Sequence, residues 1–596
     1  MVDLSRRTVS VSLLDRADLR KYVGGRGLAA KLFYDLAEPG ADPLGPRNPL
    51  IFLTGPLTGT PTPGAGKFIV VTKSPLTGAW LESYSSGALA WQLKQAGFDG
   101  LVVTGAADRP VYLVIRDGRG EIRDASAVWG SDCFETEDRI RQLEGDSELA
   151  VSCIGPAGEN LVPFACITSD RWRQAGRGGT GTVMGSKRLK AVCAHGTLGI
   201  EVDDPAGLFR LLADRVAAAR ENPRIQRRQG VGTSGTMLVT NSVGLLPVRN
   251  FKETSSEKAK GTLDADGMRG AVIHARGCYS CIAPCGTVTT FELDGRTAYL
   301  EGPEYETLGL LGSNLEIYDL PTVIKANDLC DRLGLDTIST GNVIGFAMEC
   351  AEKGLLPPAA FPAGFPRFGD GEAALALISD IAWRRRGAGE LLALGTREMA
   401  RAVGGEAERF AMQVKGLELP AYDPRATLGG ALAYAVAPRG GCHRRSSPVH
   451  TLVQGQDWQT PEGKAQVVKG LFDSRGAQHC LVICDFIGRG VPVTLGHYAA
   501  FLTAVTGEPW DEAELVRVTE RTETLIRLIN GREGFGRKDD TLPWRLLNEP
   551  VPSGPAAGCR VTAADLDIML SDYYALRGWD EDGVPTAETI RELRIP

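Results

Sequence analysis

No apolar run in this chain reaches the roughly 18 residues that a helix needs to cross a bilayer, so membrane insertion is not expected. A leader-like start is missing too: behind Arg6 and Arg7 no apolar stretch develops before Asp15, Arg16, Asp18 and Arg20 arrive. Nor is there an excess of positive charge. Lysine and arginine total 66 against 73 acidic residues, a net charge of −7, which leaves no electrostatic footprint for nucleic acid. Internal repeats and low-complexity tracts are absent, and no charge run exceeds Arg384–Arg386, the solvated end of a predicted helix. The thirteen cysteines lack the even count and spacing of a secreted disulfide framework, so reduced thiols and a cytoplasmic location are expected. With 43% hydrophobic and 23% charged residues, wholesale disorder is excluded.

What the chain has instead is length and glycine. Its 596 residues call for several domains, and its 73 glycines exceed the usual share of about 7%. Up to about residue 200 short β-branched or apolar runs (Thr8–Leu14, Leu50–Thr54, Phe68–Thr72, Leu101–Thr104, Val111–Ile115, Leu149–Cys153) alternate with Pro/Gly turns. Helices are expected to be fewer there, over Leu28–Leu36 and Leu89–Ala96. Beyond Asp204, a helix cap, 3.6-residue periodicity takes over: Ala206–Arg220, Leu320–Leu333, Ser339–Lys353, Glu372–Arg386 and Glu390–Val403. The last third predicts helices over Pro461–Ser474, His497–Thr506, Asp511–Asn530 and Ala563–Leu576. The expected fold is α+β and multi-domain: a β-rich unit over residues 1–200, then two mainly helical units over 201–410 and 411–596.

Three groups of residues carry chemistry. In Cys278-Tyr-Ser-Cys281-Ile-Ala-Pro-Cys285 three thiols can converge on one inorganic centre. A fourth ligand would close a 4Fe-4S cluster or a zinc site, and Cys442, Cys480 and Cys484 are candidates; three buried thiols are the plain alternative. The segment Ala175-Gly-Arg-Gly-Gly-Thr-Gly-Thr-Val-Met-Gly-Ser-Lys187 formally contains G-x-G-x-x-G, with Glu201 downstream. Its polar lead-in, Thr168–Gln174, argues against a strand and so against a dinucleotide site. Bare amides flanked by Arg173, Arg177 and Lys187 can still cradle a phosphate. Finally, Glu301-Gly-Pro-Glu304-Tyr305-Glu306 and His443, set in apolar or glycine-rich surroundings, supply a general-base and proton-relay pair if the fold joins them.

Several longer stretches then resemble the aldehyde ferredoxin oxidoreductase family. They are Gly24–Lys31, Asn48–Gly59, Val71–Gly78, Gly155–Asn160, the Gly-Arg-Gly-Gly…Met-Gly-Ser-Lys segment, the cysteine loop, Gly302–Thr307, Asp331–Asp336 and Gly440–His443, in family order from about residue 8 to 490. The resemblance implies a tungsten (or molybdenum) bis-pterin enzyme with a 4Fe-4S cluster and a Mg²⁺ bridging the pterin phosphates. It implies Cys278, Cys281, Cys285 and Cys484 as cluster ligands. Asp331, Leu335 and Asp336 match its first pterin segment, while Arg173, Gln174, Gly178 and Gly179 fall in its phosphate-contacting loop. Glu306 and His443, with Tyr305 beside them, match its acid–base residues.

The chain departs from the family pattern in four places. Lys67 stands for an arginine against the cluster, losing the bidentate fork. His479 stands for the aspartate that opens the second pterin segment, and Tyr84 for an asparagine whose backbone carbonyl binds Mg²⁺. Lys325–Asp328 replaces the Glu-x-x-His segment of a subunit-bridging iron, so no interface iron is expected in a homo- or hetero-oligomer. The expected activity is oxidation of a small aldehyde to a carboxylic acid, with electrons passing through the cluster to ferredoxin or to an iron–sulfur or flavin subunit. The rivals are a subunit of a larger tungsten reductase complex of the benzoyl-CoA reductase type, and a cluster-binding scaffold that has lost tungsten.

Overall fold

A computed structural model describes residues 1–293, 295–362, 364–487 and 493–596. Two six-stranded sheets occupy the first 200 residues. The first runs in the order Thr8–Val9, Val2–Asp3, Gly100–Thr104, Leu50–Leu53, Lys67–Lys73, Trp80–Ser86. The second runs Arg173–Ala175, Ile167–Ser169, Ala150–Cys153, Leu189–His195, Val111–Arg116, Arg119–Asp124.

Period-two alternation explains how the first sheet is buried on both faces. Leu50, Phe52, Phe68 and Val70 point into a core shared with Leu89 and Leu93 of helix Ala88–Gln95 and with Val111, Leu113 and Ile115 of the second sheet. The residues between them, Ile51, Leu53, Ile69, Val71 and Trp80, pack on Leu28 and Phe33 of helix Gly25–Leu36 and on Leu525 and Ile526 of helix Glu512–Arg532. Helix Glu512–Arg532, from the last third of the chain, thus buttresses the N-terminal sheet. Their junction holds a buried charge cluster in which Arg26 Nε donates to Glu82 at 2.6 Å and Arg26 Nη2 to Glu523 at 3.0 Å.

The helical remainder is organised around a large apolar core through helices Leu320–Leu333 and Thr337–Glu352. Asp204 caps its helix as expected, and Asp319, Asp336 and Asp511 likewise accept from first-turn amides of theirs. Three expectations are corrected. The polar run Thr168–Gln174 does hold strand, since Ile167–Ser169 pairs antiparallel with Arg173–Ala175; side chains at an edge hairpin need not be apolar. Of Thr8–Leu14 only Thr8–Val9 is strand. The predicted Glu390–Val403 helix is two, Ala388–Leu392 and Thr396–Val403, parted by Gly395 at φ +79°. A three-stranded antiparallel sheet, Val272–Arg276, Gly286–Leu293 and Arg296–Glu301, interrupts the helical part and carries the cysteine loop between its first two strands.

Candidate active site

The two large sheets meet at their edges, where Arg177 N donates to Ser83 Oγ at 3.3 Å and Ser74 Oγ to the Gly178 carbonyl at 2.7 Å. Above that seam lies a cavity of about 840 Å³, near the upper end for small-molecule sites. Its lining gathers Lys67, Tyr84, Arg173, Gln174, Asp331, Leu335, Asp336, Tyr305, Glu306, His443, Cys278, Cys281, Cys285 and Cys484. Of the cofactor-binding residues that the resemblance implies, Gly178 and Gly179 stay outside it, as do Lys187 of the same segment and His479. A β-carbon on Gly178 would come within 2.3 Å of Leu81 Cδ1, and one on Gly179 within 2.2 Å of the Pro163 carbonyl. They permit backbone packing behind the cavity wall.

Glu306 and His443 do meet. His443 Nδ1 is 3.5 Å from Glu306 Oε1, and both atoms are buried without a hydrogen-bond partner. The other carboxylate oxygen, Oε2, accepts from Ala421 N at 2.8 Å. Burial, partly offset by that amide and by Arg177, pushes the Glu306 carboxyl up to about 7. Burial together with Arg444, Arg177 and Arg439 holds the His443 imidazole well below its usual range. The pair is therefore a carboxyl poised near neutrality beside a neutral ring. Two orphaned polar atoms each cost about 1–3 kcal/mol, which fits a site completed by a ligand oxygen between them.

The sequence builds this geometry through Tyr305. Its hydroxyl is taken up by the Ala421 carbonyl and by Thr240 Oγ1, the latter at 3.0 Å, so it grips the peptide whose neighbouring amide holds Glu306. The chain then enters a π-helical turn, Leu308–Gly312. A β-carbon on Gly309 would sit 2.6 Å from Ala421 Cβ, so only glycine lets the two segments close. Tyr305 acts on Glu306 by position, and its ring lies 5.0 Å from that of Tyr422.

At the other end of the cavity the loop Gly64–Lys67 ties the cysteines together. Gly64 N donates to the Ser280 carbonyl at 3.2 Å, and Cys484 N to the Gly64 carbonyl at 3.0 Å. Burial and the neighbouring Cys484 and Cys278 push the Cys281 thiol up to about 11, and burial with Glu304 and Cys484 raises Cys285. Of the alternative fourth ligands, Cys480 faces Thr522 at 3.8 Å and Cys442 accepts from Arg439 Nε at 3.1 Å; neither lines the cavity. Among the described residues no three His, Cys, Asp or Glu side chains are gathered around one point as a single ion requires; the four thiols share a cavity wall instead.

Between the two ends, Arg177 clamps three distant segments. It donates to Asp336 Oδ2 at 3.1 Å and to the Gly441 and Glu418 carbonyls, each at 2.6 Å. Gln174 Nε2 donates to Asp331 Oδ1 at 2.9 Å, and Asn327 Nδ2 to Asp331 Oδ2 at 2.7 Å. Arg173 is ion-paired with Glu301, whose carboxyl burial pushes up to about 7 against that pairing. Sequence reasoning missed Arg177 as a structural clamp and did not single out Arg224, Arg227 and Arg228, which also line the cavity. Their i, i+3, i+4 spacing was the available signal.

Residues 1–196 match the N-terminal domain of aldehyde ferredoxin oxidoreductase, and residues 210–595 its domains 2 and 3. The chain belongs to the aldehyde ferredoxin oxidoreductase family. A tungsten-containing aldehyde ferredoxin oxidoreductase of Pyrococcus furiosus is 39% identical over 610 residues, covering 100% of this chain and 98% of that protein. The WOR-like subunit of an aliphatic sulfonate oxidoreductase from the same organism is 32% identical, covering 100% and 96%. Among solved structures, the active-site complex BamBC of benzoyl-coenzyme A reductase with 1,5-dienoyl-CoA superposes with a TM-score of 0.86 at 28% identity, covering 100% of this chain and 96% of that one. Two residues expected to depart from the family pattern, Tyr84 and His479, are neighbours. The Tyr84 and His479 rings lie 4.5 Å apart, and the Arg445 guanidinium lies 5.8 Å above Tyr84 while contacting His479 and Glu82. Tyr84 lines the cavity and His479 stands behind it. No helix among the described residues is long and apolar enough to cross a membrane.

Proposed function

We propose that the protein is a tungsten-dependent oxidoreductase that converts an aldehyde to a carboxylic acid, R–CHO + H2O → R–COO⁻ + 3 H⁺ + 2 e⁻. The observation that carries this reading is the Glu306–His443 pair, its facing atoms unsatisfied and 3.5 Å apart, in a cavity whose lining also presents four thiols. The cavity's volume and its mixture of cations, carboxylates and glycine-backed walls fit a bulky phosphorylated cofactor. Lys67, Tyr84, Arg173, Gln174, Asp331, Leu335 and Asp336 would hold the bis-pterin and its Mg²⁺, and Cys278, Cys281, Cys285 and Cys484 the 4Fe-4S cluster. When bound, these groups supply a two-electron acceptor and a relay that releases single electrons to ferredoxin or a partner subunit.

Within that frame, the chain's own residues handle the proton. A carboxyl near 7 exchanges protons at neutral pH with little driving-force mismatch, so Glu306 takes the proton released at the reacting carbon or water. The neutral imidazole of His443 offers an N–H to the carbonyl oxygen without adding a second charge. Tyr305 and Ala421 keep the carboxylate aimed. All thirteen cysteines are free, in keeping with a reducing, cytoplasmic location. A second reading, a subunit of a reductase complex working in the opposite direction, draws on the likeness to BamBC.

The deciding experiment is production in a host that makes the tungsten cofactor, followed by metal analysis and aldehyde-dependent viologen reduction. Stoichiometric tungsten with activity supports the reading. Tungsten with no aldehyde activity and a stable flavin or iron–sulfur partner favours the reductase subunit, and a full cluster without tungsten makes the protein a scaffold.

A further inference from the structure

The helix Pro223–Val231 turns one stripe to the cavity, because Arg224, Arg227, Arg228 and Val231 all line it. Their i, i+3, i+4, i+7 spacing is a single helix face, while Ile225, pointing elsewhere, is 1% exposed and fixes the helix to the core. Like charges at this spacing oppose helix formation, and Arg224 sits in the first turn at the positive end of the helix dipole. Stability therefore does not explain the arrangement. Among the described residues no Asp or Glu forms an ion pair with the three, although Arg228 acts electrostatically on Glu304. Arg228 instead stacks over Phe486, 4.8 Å from the ring centre, and reaches its carbonyl at 3.5 Å. The deeper guanidiniums are answered, Arg173 by Glu301, Arg177 by Asp336 and Arg444 by Asp485.

A short turn couples the stripe to the acid–base pair. Thr233 Oγ1 accepts from Tyr305 N at 2.8 Å and donates to Glu304. We infer that the substrate carries an anionic group several bonds from its carbonyl, a carboxylate, sulfonate or phosphate, and that Arg224, Arg227 and Arg228 bind it. The inference rests on the aldehyde-oxidising reading. Planar guanidinium forks match such oxyanions, and because they line the same cavity as Glu306 and His443, the anion they meet belongs to the molecule that reaches that pair.

The test compares succinic semialdehyde with butyraldehyde, equal in chain length and different in the terminal carboxylate. Holoenzyme and the double variant R224Q/R227Q are assayed with viologen as acceptor. Both positions are exposed, so the fold tolerates the change. Calorimetric binding of succinate and butyrate gives a readout independent of turnover. Succinic semialdehyde should show a kcat/KM at least about 10-fold higher, lost through KM in the variant, with butyraldehyde unchanged and succinate binding weakened in parallel. Equal or better use of butyraldehyde, an equal loss for both, or unaltered succinate binding overturns the inference. So does a variant that changes only the KM for an acidic ferredoxin, which would make the stripe a carrier dock. If neither aldehyde is oxidised, the aldehyde reading fails; succinate binding lost in the variant still sustains the anion site, and no succinate binding in the parent removes it.

Discussion

Replacing Glu306 by glutamine should abolish turnover and at the same time stabilise the protein. Glutamine matches glutamate in shape and can still accept the Ala421 amide through its carbonyl oxygen, so packing is preserved. What disappears is an ionisable group that burial has moved from its ordinary 4.5 to about 7. The folded state holds that proton more tightly than the unfolded chain. Wild-type stability from this group is therefore greatest below about pH 4.5 and falls as pH rises to about 7. At about 1.36 kcal/mol per pH unit, the penalty removed by Glu306→Gln amounts to roughly 3 kcal/mol at pH 8 and vanishes near pH 4.5. Urea unfolding of variant and parent at several pH values reads this difference directly. Aldehyde-dependent viologen reduction should fall by about 10²–10⁴-fold with metal content intact, and the limb of the wild-type pH–rate profile that rises through about 7 should be lost. A variant as active as the parent, or one less stable at pH 8, would refute the assignment of Glu306 as a buried proton acceptor.

Cys484→Ser should strip cluster iron while the fold survives; retention of the full iron complement would send the fourth ligand to another side chain. Tyr305→Phe leaves the Ala421 carbonyl and Thr240 without their partner and should lower stability by about 1–2 kcal/mol, with a reduced kcat and an unmoved pH profile; a shifted profile would make the phenol a proton donor. Gly181→Ala should fail to accumulate as folded protein, because its β-carbon would sit 2.1 Å from the Cys166 carbonyl; normal yield and melting would show that the backbone there yields.

Much of this was readable in the sequence because the responsible signals are local. Asp204, Asp319, Asp336 and Asp511 cap helices through their own neighbours, and the inner strands of the sheets are short β-branched runs. The cysteine loop is likewise a local motif. Edge strands were harder, since Arg173–Ala175 pairs on one side only and its polar side chains line a cavity. Glycines misled in a related way. Gly178 and Gly179 look like a ligand-cradling loop but are needed because Leu81 and Pro163 come too close for a side chain. Sequence spacing cannot tell backbone exposed to a ligand from backbone pressed against backbone.

The coupling of Tyr84 to His479 could not be read from either position, as 395 residues separate them, yet it changes what each departure means. Taken alone, a buried histidine in place of an aspartate removes a negative charge and leaves Arg445 short of a partner. In the structure Glu82 answers Arg445 and Arg26 together, with Glu523 closing the network. Burial and Arg445 hold the His479 ring well below its usual range, so it stays neutral. Its face is covered by Tyr84, whose hydroxyl is buried without a partner. A neutral ring tilted against a phenol fills the volume without a further buried anion. The two side chains thus form one packing unit. Placing aspartate at 479 alone should destabilise the protein, since it removes the ring that packs against Tyr84. A double-mutant cycle of His479→Asp with Tyr84→Asn, read by urea unfolding, should show a coupling of about 0.5–3 kcal/mol; additive effects would mean that the rings are neighbours without being partners.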